Sequence, residues 1–226
     1  MMPLVPKVCL RYLRHYANSE IVVITENNYK DYIDIPDFVV EKLLHSYSIT
    51  NFSDILRSAL LSKYGGLWVD ATVLMTSHFN MGNGELFTNH QPNNGGCFTY
   101  ISHLRWSSYL IGGRPNLLFG MMWGAFMDYA RKYDEFITYF LIDYIIEFLY
   151  RHNKEIAQLI DSVPNNNESI LTLNSLLCDK YDKKVYDKLL KDNNYHKLSW
   201  KRILVPTNSS DDLTFWGFIV KQAIRY

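Results

Sequence analysis

A chain of 226 residues is long enough to bury a sizeable core, and 48% hydrophobic with 15% aromatic residues excludes a disordered segment. Lys+Arg and Asp+Glu each number 23, so the formal net charge is zero, which argues against nucleic acid as the main partner. The cysteines Cys9, Cys97 and Cys178 are widely spaced and make neither a metal knuckle nor a CxxC pair, which fits a reduced, cytoplasmic setting.

The start of the chain has no basic segment followed by a long apolar run, so no signal peptide is expected. Residues 21–25 are a short β-branched apolar run and predict a buried strand. Pro36, with Asp34 as cap, opens a helix continued by Phe38, Val39, Lys42, Leu43 and Tyr47. A second helix is expected from Ser53. Leu56, Ala59, Leu60 and Tyr64 face its core side, with Asp54, Arg57 and Leu61 on the adjacent strip. Gly65 and Gly66 stop this helix. Residues 67–69 read as a strand with Asp70 at its carboxyl end, where open α/β sheets bind ligands.

Residues 81–96, rich in Asn and Gly, predict a loop. Residues 97–101 and 106–111 read as strands, and Gly112-Gly113 turns the chain into helices over 116–133 and 134–152. Residues 165–167 form a loop, helices follow near 170–177 and 183–191, and 196–200 reads as a short strand or turn. The most apolar stretch, 136–150, is shorter than a membrane span and carries Asp143 and Glu147, so a buried or interfacial helix is expected. With no internal repeat and no linker, the pattern is one α/β domain over 1–226.

Several residues admit two readings. Asp54 and Arg57 make either a structural pair or helix-start charge, or a clamp on hydroxyls, because Arg presents a rigid fork of donors and Asp accepts from OH groups. Asp70 follows an apolar strand and needs a partner. It is an acceptor for backbone N–H groups, a metal ligand, or an acceptor for ribose hydroxyls. Asp143 and Glu147, one turn apart, are a salt-bridged face or an acid–base pair. Trp106 is a core residue or a stacking surface for a sugar ring. His196 alone reads as an ordinary surface or core histidine.

The block from Ser53 to Thr72, SDILRSALLSKYGGLWVDAT, resembles the sugar-donor motif of the capsular polysaccharide synthesis glycosyltransferases. These belong to the wider DXD sugar-binding group, with the large clostridial toxin glucosyltransferases and the yeast-type initiating mannosyltransferases. Residues 28–36, Trp106 with Ile111-Gly112-Gly113, Ile142-Asp143-Tyr144, Val163-Pro164-Asn165-Asn166 and the run from His196 to Lys201 resemble the same family in the same order. The resemblance covers residues 6–201.

It implies a GT-A-like nucleotide-sugar-binding sandwich, a mixed, mostly parallel sheet flanked by helices. The implied reaction is retaining transfer of a hexose from a nucleotide diphosphate sugar, a UDP-sugar first among them, to a capsular or other surface polysaccharide. The acceptor is an oligosaccharide or lipid-linked glycan, and the setting is the bacterial cytoplasm at the inner face of the plasma membrane. By the same resemblance, Asp54, Arg57, Trp68, Asp70 and Thr72 contact the donor, with Asp70, Arg57 and Asp143 in catalysis. His196, Lys197 and Lys201 bind the diphosphate, Trp106 faces the acceptor, and Asp70 with His196 ligates a divalent cation, Mn2+ or Mg2+. Thr72 stands where the DXD element has its second carboxylate.

A relative that binds nucleotide sugar or glycan without turnover, and a structural partner in an assembly complex using the aromatic segment 136–150, are the rival readings. One departure stands out. Family members open with a strand ahead of the region equivalent to Pro6, and Met1 to Val5 leaves no room for it. Loss of that first strand predicts lowered stability or self-association.

Overall fold

The computed structural model describes residues 2–81, 84–91 and 99–226. In chain order its helices are α1 (Leu4–Tyr16), α2 (Asp37–His45), α3 (Ile49–Tyr64), α4 (Leu117–Lys132), α5 (Leu141–His152), α6 (Lys154–Asp161), α7 (Thr172–Leu176), α8 (Lys183–Asp192) and α9 (Phe215–Ala223). Its strands are β1 (Gly66–Val69), β2 (Val73–Met75), β3 (Phe87–Thr88), β4 (Leu110–Gly113) and β5 (Tyr195–Lys197). The class is mixed α/β. The chain packs as two compact units, one of Val23–Trp68 with Met81–Asn166, the other of Met1–Val22, Val69–Asn80 and Asn167–Tyr226.

The first of these, the α3 unit, is built on α3, α4 and α5. Val39, Ile55, Phe119, Phe126, Ile146 and Ile156 are fully enclosed in its core. Helix α3 starts at Ile49, earlier than the apolar pattern implied, because Ser48 and Asn51 form a capping box. The Ser48 hydroxyl accepts from the Asn51 N–H at 3.2 Å, and Asn51 Oδ1 accepts from the Ser48 N–H at 3.1 Å. Gly65 ends the helix at φ +66°. The small sheet of this unit runs β1–β4–β3, with β3 and β4 antiparallel and Phe87 opposite Gly112. Gly112 lies inside β4 and not in a turn. A Cβ there would stand 2.2 Å from the Gly66 carbonyl oxygen, so glycine is what lets the two backbones meet.

The other, the α1 unit, pairs β2 with β5 antiparallel, in a register that sets Val73 opposite Lys197 and Leu74 opposite His196. Helices α1 and α9 pack together here, around Leu74, Leu173, Leu177 and Ile219. Val5, Val8, Cys9 and Tyr12 form the buried face of α1. The sequence pattern had marked neither α1 nor α9.

Five expected elements differ. Residues 21–25 form no strand. Asn28 takes over the local backbone instead: its Oδ1 accepts from the Thr25 N–H at 2.7 Å, and its amide donates to the Val23 carbonyl at 2.9 Å. The helix expected over 134–152 begins only at Leu141. The Tyr129 hydroxyl, which donates to the Glu135 carbonyl and accepts from the Ile137 N–H, ties residues 135–137 into a connector. The strand expected over 106–111 begins at Leu110, because the Thr88 hydroxyl accepts the Ser107 N–H at 2.8 Å. Of the strand expected over 97–101, residues 97 and 98 lie outside the described residues and 99–101 are bend and turn. Part of the loop expected over 81–96 is likewise outside them, and Phe87–Thr88 within it pairs as β3. Among the described residues no helix is long and apolar enough to cross a membrane.

Candidate functional site

The block from Ser53 to Thr72 is divided between the units. Its helix, glycine turn and Trp68 belong to the α3 unit, and Asp70 to Thr72 belong to the α1 unit.

Within the α3 unit, α3 carries Asp54 and Arg57 three residues apart. Their ion pair is 2.9 Å long, with side chains only 6% and 4% exposed. Because α3 starts at Ile49, Asp54 sits in its second turn and does not serve as helix-start charge. The Arg57 guanidinium lies over the Trp68 ring of β1 at 5.0 Å. From the other side, α5 brings Asp143, whose Oδ1 accepts from the Trp106 indole N–H at 2.8 Å. Burial raises the Asp143 carboxyl above its ordinary range. The Trp106 hydrogen bond and the Arg57 charge act the opposite way. Trp106 is 2% exposed, so in this fold its indole acts as a buried donor to Asp143. Five of the predicted residues, from α3, β1, the segment before β4 and α5, therefore come together, with Asp54, Arg57 and Trp106 buried and Trp68 and Asp143 half-buried.

Beside it lies a charge cluster that the sequence only half revealed. Glu147 is gripped by Arg105 and, at 2.5 Å, by Arg151. Arg105 also covers the Tyr150 ring at 4.0 Å. The spacing of Glu147 and Arg151, four apart on α5, was the available signal; Arg105 arrives through the tertiary fold. Glu147 is thus a salt-bridged residue.

Within the α1 unit, residues 70–73 make a tight turn closed by the Val73 N–H on the Asp70 carbonyl at 2.9 Å. The β2–β5 register then lays Lys197 beside this turn. Its ammonium bonds Asp70 Oδ2 and Thr72 Oγ1, each at 2.9 Å. Asp70 and Lys197 keep 29% and 21% of their side chains exposed. His196 is the next residue on the same strand, and adjacent residues of a strand point to opposite faces. It is fully buried, and neither ring nitrogen meets a hydrogen-bond partner among the described residues. Burial pushes its pKa down to about 4. Lys201 lies exposed beyond β5.

The structure therefore brings Asp70, Thr72 and Lys197 together and keeps His196 apart from them. A hard divalent cation wants several oxygen ligands. Here one carboxylate and one hydroxyl share a lysine, and among the described residues no group of three or more His, Cys, Asp or Glu side chains could hold a metal ion. These residues by themselves do not fit a resident Mn2+ or Mg2+.

A family model described as capsular polysaccharide synthesis protein matches residues 1–215. Neither a curated protein nor a solved structure matches the chain.

Proposed function

The chain belongs to the capsular polysaccharide synthesis family, with its match running over residues 1–215, and we propose that it acts there as a retaining glycosyltransferase of GT-A type. The donor is a nucleotide diphosphate hexose, with UDP-sugars the first to try. The acceptor is a nascent or lipid-linked glycan. The observation that carries this reading is the buried Asp54–Arg57 pair against Trp68, at the positions the donor motif assigns to sugar contacts. A charged pair withdrawn from water beside an aromatic ring and a second carboxylate is costly as scaffolding, and such groups cluster at functional sites.

Transfer breaks the bond from the anomeric carbon to the diphosphate oxygen and forms one to an acceptor hydroxyl oxygen, whose proton passes to the departing diphosphate. Taken unit by unit, Asp54 and Arg57 of the α3 unit are assigned to sugar hydroxyls, and Lys197 of the α1 unit is assigned to the charge of a diphosphate. Asp70 and Thr72 hold the Lys197 ammonium in place. UDP is accordingly expected to bind in calorimetric titrations with chelator present, and Lys197→Met to weaken that binding and hexose transfer about tenfold. Unchanged binding and transfer in both Lys197→Met and Asp70→Ala would remove this group from the mechanism.

The rival reading, a relative that binds without turnover, is favoured by Thr72, which leaves Asp70 as the sole carboxylate of the DXD element. UDP binding without transfer across a panel of UDP- and GDP-sugars and acceptors is its signature.

We place this activity at the inner face of the plasma membrane. Supporting that setting, Phe140 at the N-cap of α5 and Tyr144 and Phe148 along it recur every four residues and are 50%, 52% and 61% exposed. Tyr and Phe at such spacing suit the polar–apolar boundary of a bilayer. Tyr144→Ser with Phe148→Ser is expected to reduce flotation with anionic phospholipid vesicles at least fivefold. Equal flotation of both proteins, or none for either, would end the membrane assignment.

A further inference from the structure

Helices α1, α8 and α9 of the α1 unit border a cavity of about 230 Å3. Tyr12, Tyr16, Tyr186 and Tyr226 bring four phenols to it, Thr76 a hydroxyl and Gln222 a carboxamide. No Asp, Glu, Lys or Arg lines it among the described residues. The Tyr12 hydroxyl donates to the Ile219 carbonyl at 3.2 Å, and the Tyr16 and Tyr226 hydroxyls lie 3.0 Å apart. A phenol oxygen both donates and accepts, so these pairings orient the hydroxyls without exhausting them. Burial raises the Tyr12 and Tyr186 pKa values and pushes Tyr16 up to about 12, which keeps these phenols neutral. Tyr226 is 41% exposed and Tyr16 and Gln222 are half-buried, so one side is reached from solvent.

We propose that this cavity is a binding subsite for one neutral sugar residue of a glycan, separate from the donor group at Asp70 and Lys197. Aromatic faces accept the C–H faces of a pyranose, and uncharged donors and acceptors match its hydroxyls. The lining side chains offer no cation for a uronate or phosphate and no carboxylate for an ammonium group. At about 30 Å3 for each liquid water, the volume equals roughly seven or eight waters, the bulk of a single pyranose. A drug-sized ligand would need more room. The subsite anchors glycan whether or not the chain turns over a donor, so it stands independently of the transferase reading.

Saturation-transfer NMR on the full chain, with methyl glycosides of neutral hexoses and N-acetylhexosamines, tests it. Tyr16→Phe with Gln222→Leu removes two polar groups and keeps the aromatic wall, and Leu190→Trp, from the half-buried end of α8, fills the space. Transfer to at least one neutral glycoside is expected, reduced fivefold or more in both variants, with thermal melting showing that each stays folded. Equal transfer in wild type and whichever variants fold, no transfer from any glycoside, or saturation by tetramethylammonium alone would overturn the proposal.

Discussion

Arg57→Leu is expected to cost about 3–5 kcal/mol of folding stability, the range for breaking a buried ion pair by removing one partner. Arg57 and Asp54 keep 4% and 6% of their side chains in contact with solvent, so water cannot replace the lost partner. An exposed pair of the same spacing, Asp128 with Arg131 on α4 at 72% and 60% exposure, should be worth at most a few tenths of a kcal/mol. The substitution also strips the guanidinium from the Trp68 face and removes one of the two influences that hold the Asp143 carboxyl down. Asp143 should therefore rise further. Urea unfolding measures the cost; a loss below about 1 kcal/mol would mean the pair is not desolvated.

The double variant Asp54→Leu/Arg57→Leu separates scaffold from site. Replacing a whole buried pair by apolar groups is often neutral or stabilising, so most of the lost stability should return. If the pair contacts the donor, hexose transfer stays absent in that refolded double variant. Recovery of both stability and transfer would reduce the pair to scaffolding.

How much of this was legible in the chain can be argued residue by residue. The helix–glycine–strand passage through Asp70 was readable because its determinants are local: apolar spacing on α3, glycine at a positive-φ cap, and a short apolar strand. The Asp54–Arg57 pair was readable for the same reason, since three residues on a helix fix a distance. The start of α3 was missed because Ser48 and Asn51, a polar capping pair, outweigh the apolar pattern that begins later. Residues 21–25 have strand composition, yet Asn28 satisfies their backbone locally, and propensity yields to such competition. The Lys197 contact with Asp70 spans 127 positions and exists only through the β2–β5 register, which no local pattern encodes. The same register turns His196 away from its neighbour, so a motif that places both residues at one diphosphate cannot be read onto this strand position by position.

That buried histidine makes the second large effect. His196 is neutral in the folded chain because an imidazolium there would be sealed from water with no partner at either ring nitrogen among the described residues. Its pKa is about 4 folded, against an ordinary value of 6.5. Above 6.5 neither state binds the proton, and the residue contributes no pH dependence. As pH falls below 6.5 the unfolded chain takes up a proton that the folded chain refuses until about 4. Stability is lost across that window, and the total is about 3 kcal/mol. His90, also lowered by burial, adds a loss of the same sign. Carboxylates contribute to any acid unfolding, so the decisive measurement is a comparison. His196→Leu removes two buried polar atoms that lack partners, and it should be close to wild type or more stable at pH 7. Between pH 6.5 and 4 its denaturation midpoint should fall less steeply than wild type, the gap widening toward about 3 kcal/mol at pH 4. Parallel midpoints for the two proteins across that range would mean that His196 gains a proton, or a partner, inside the fold.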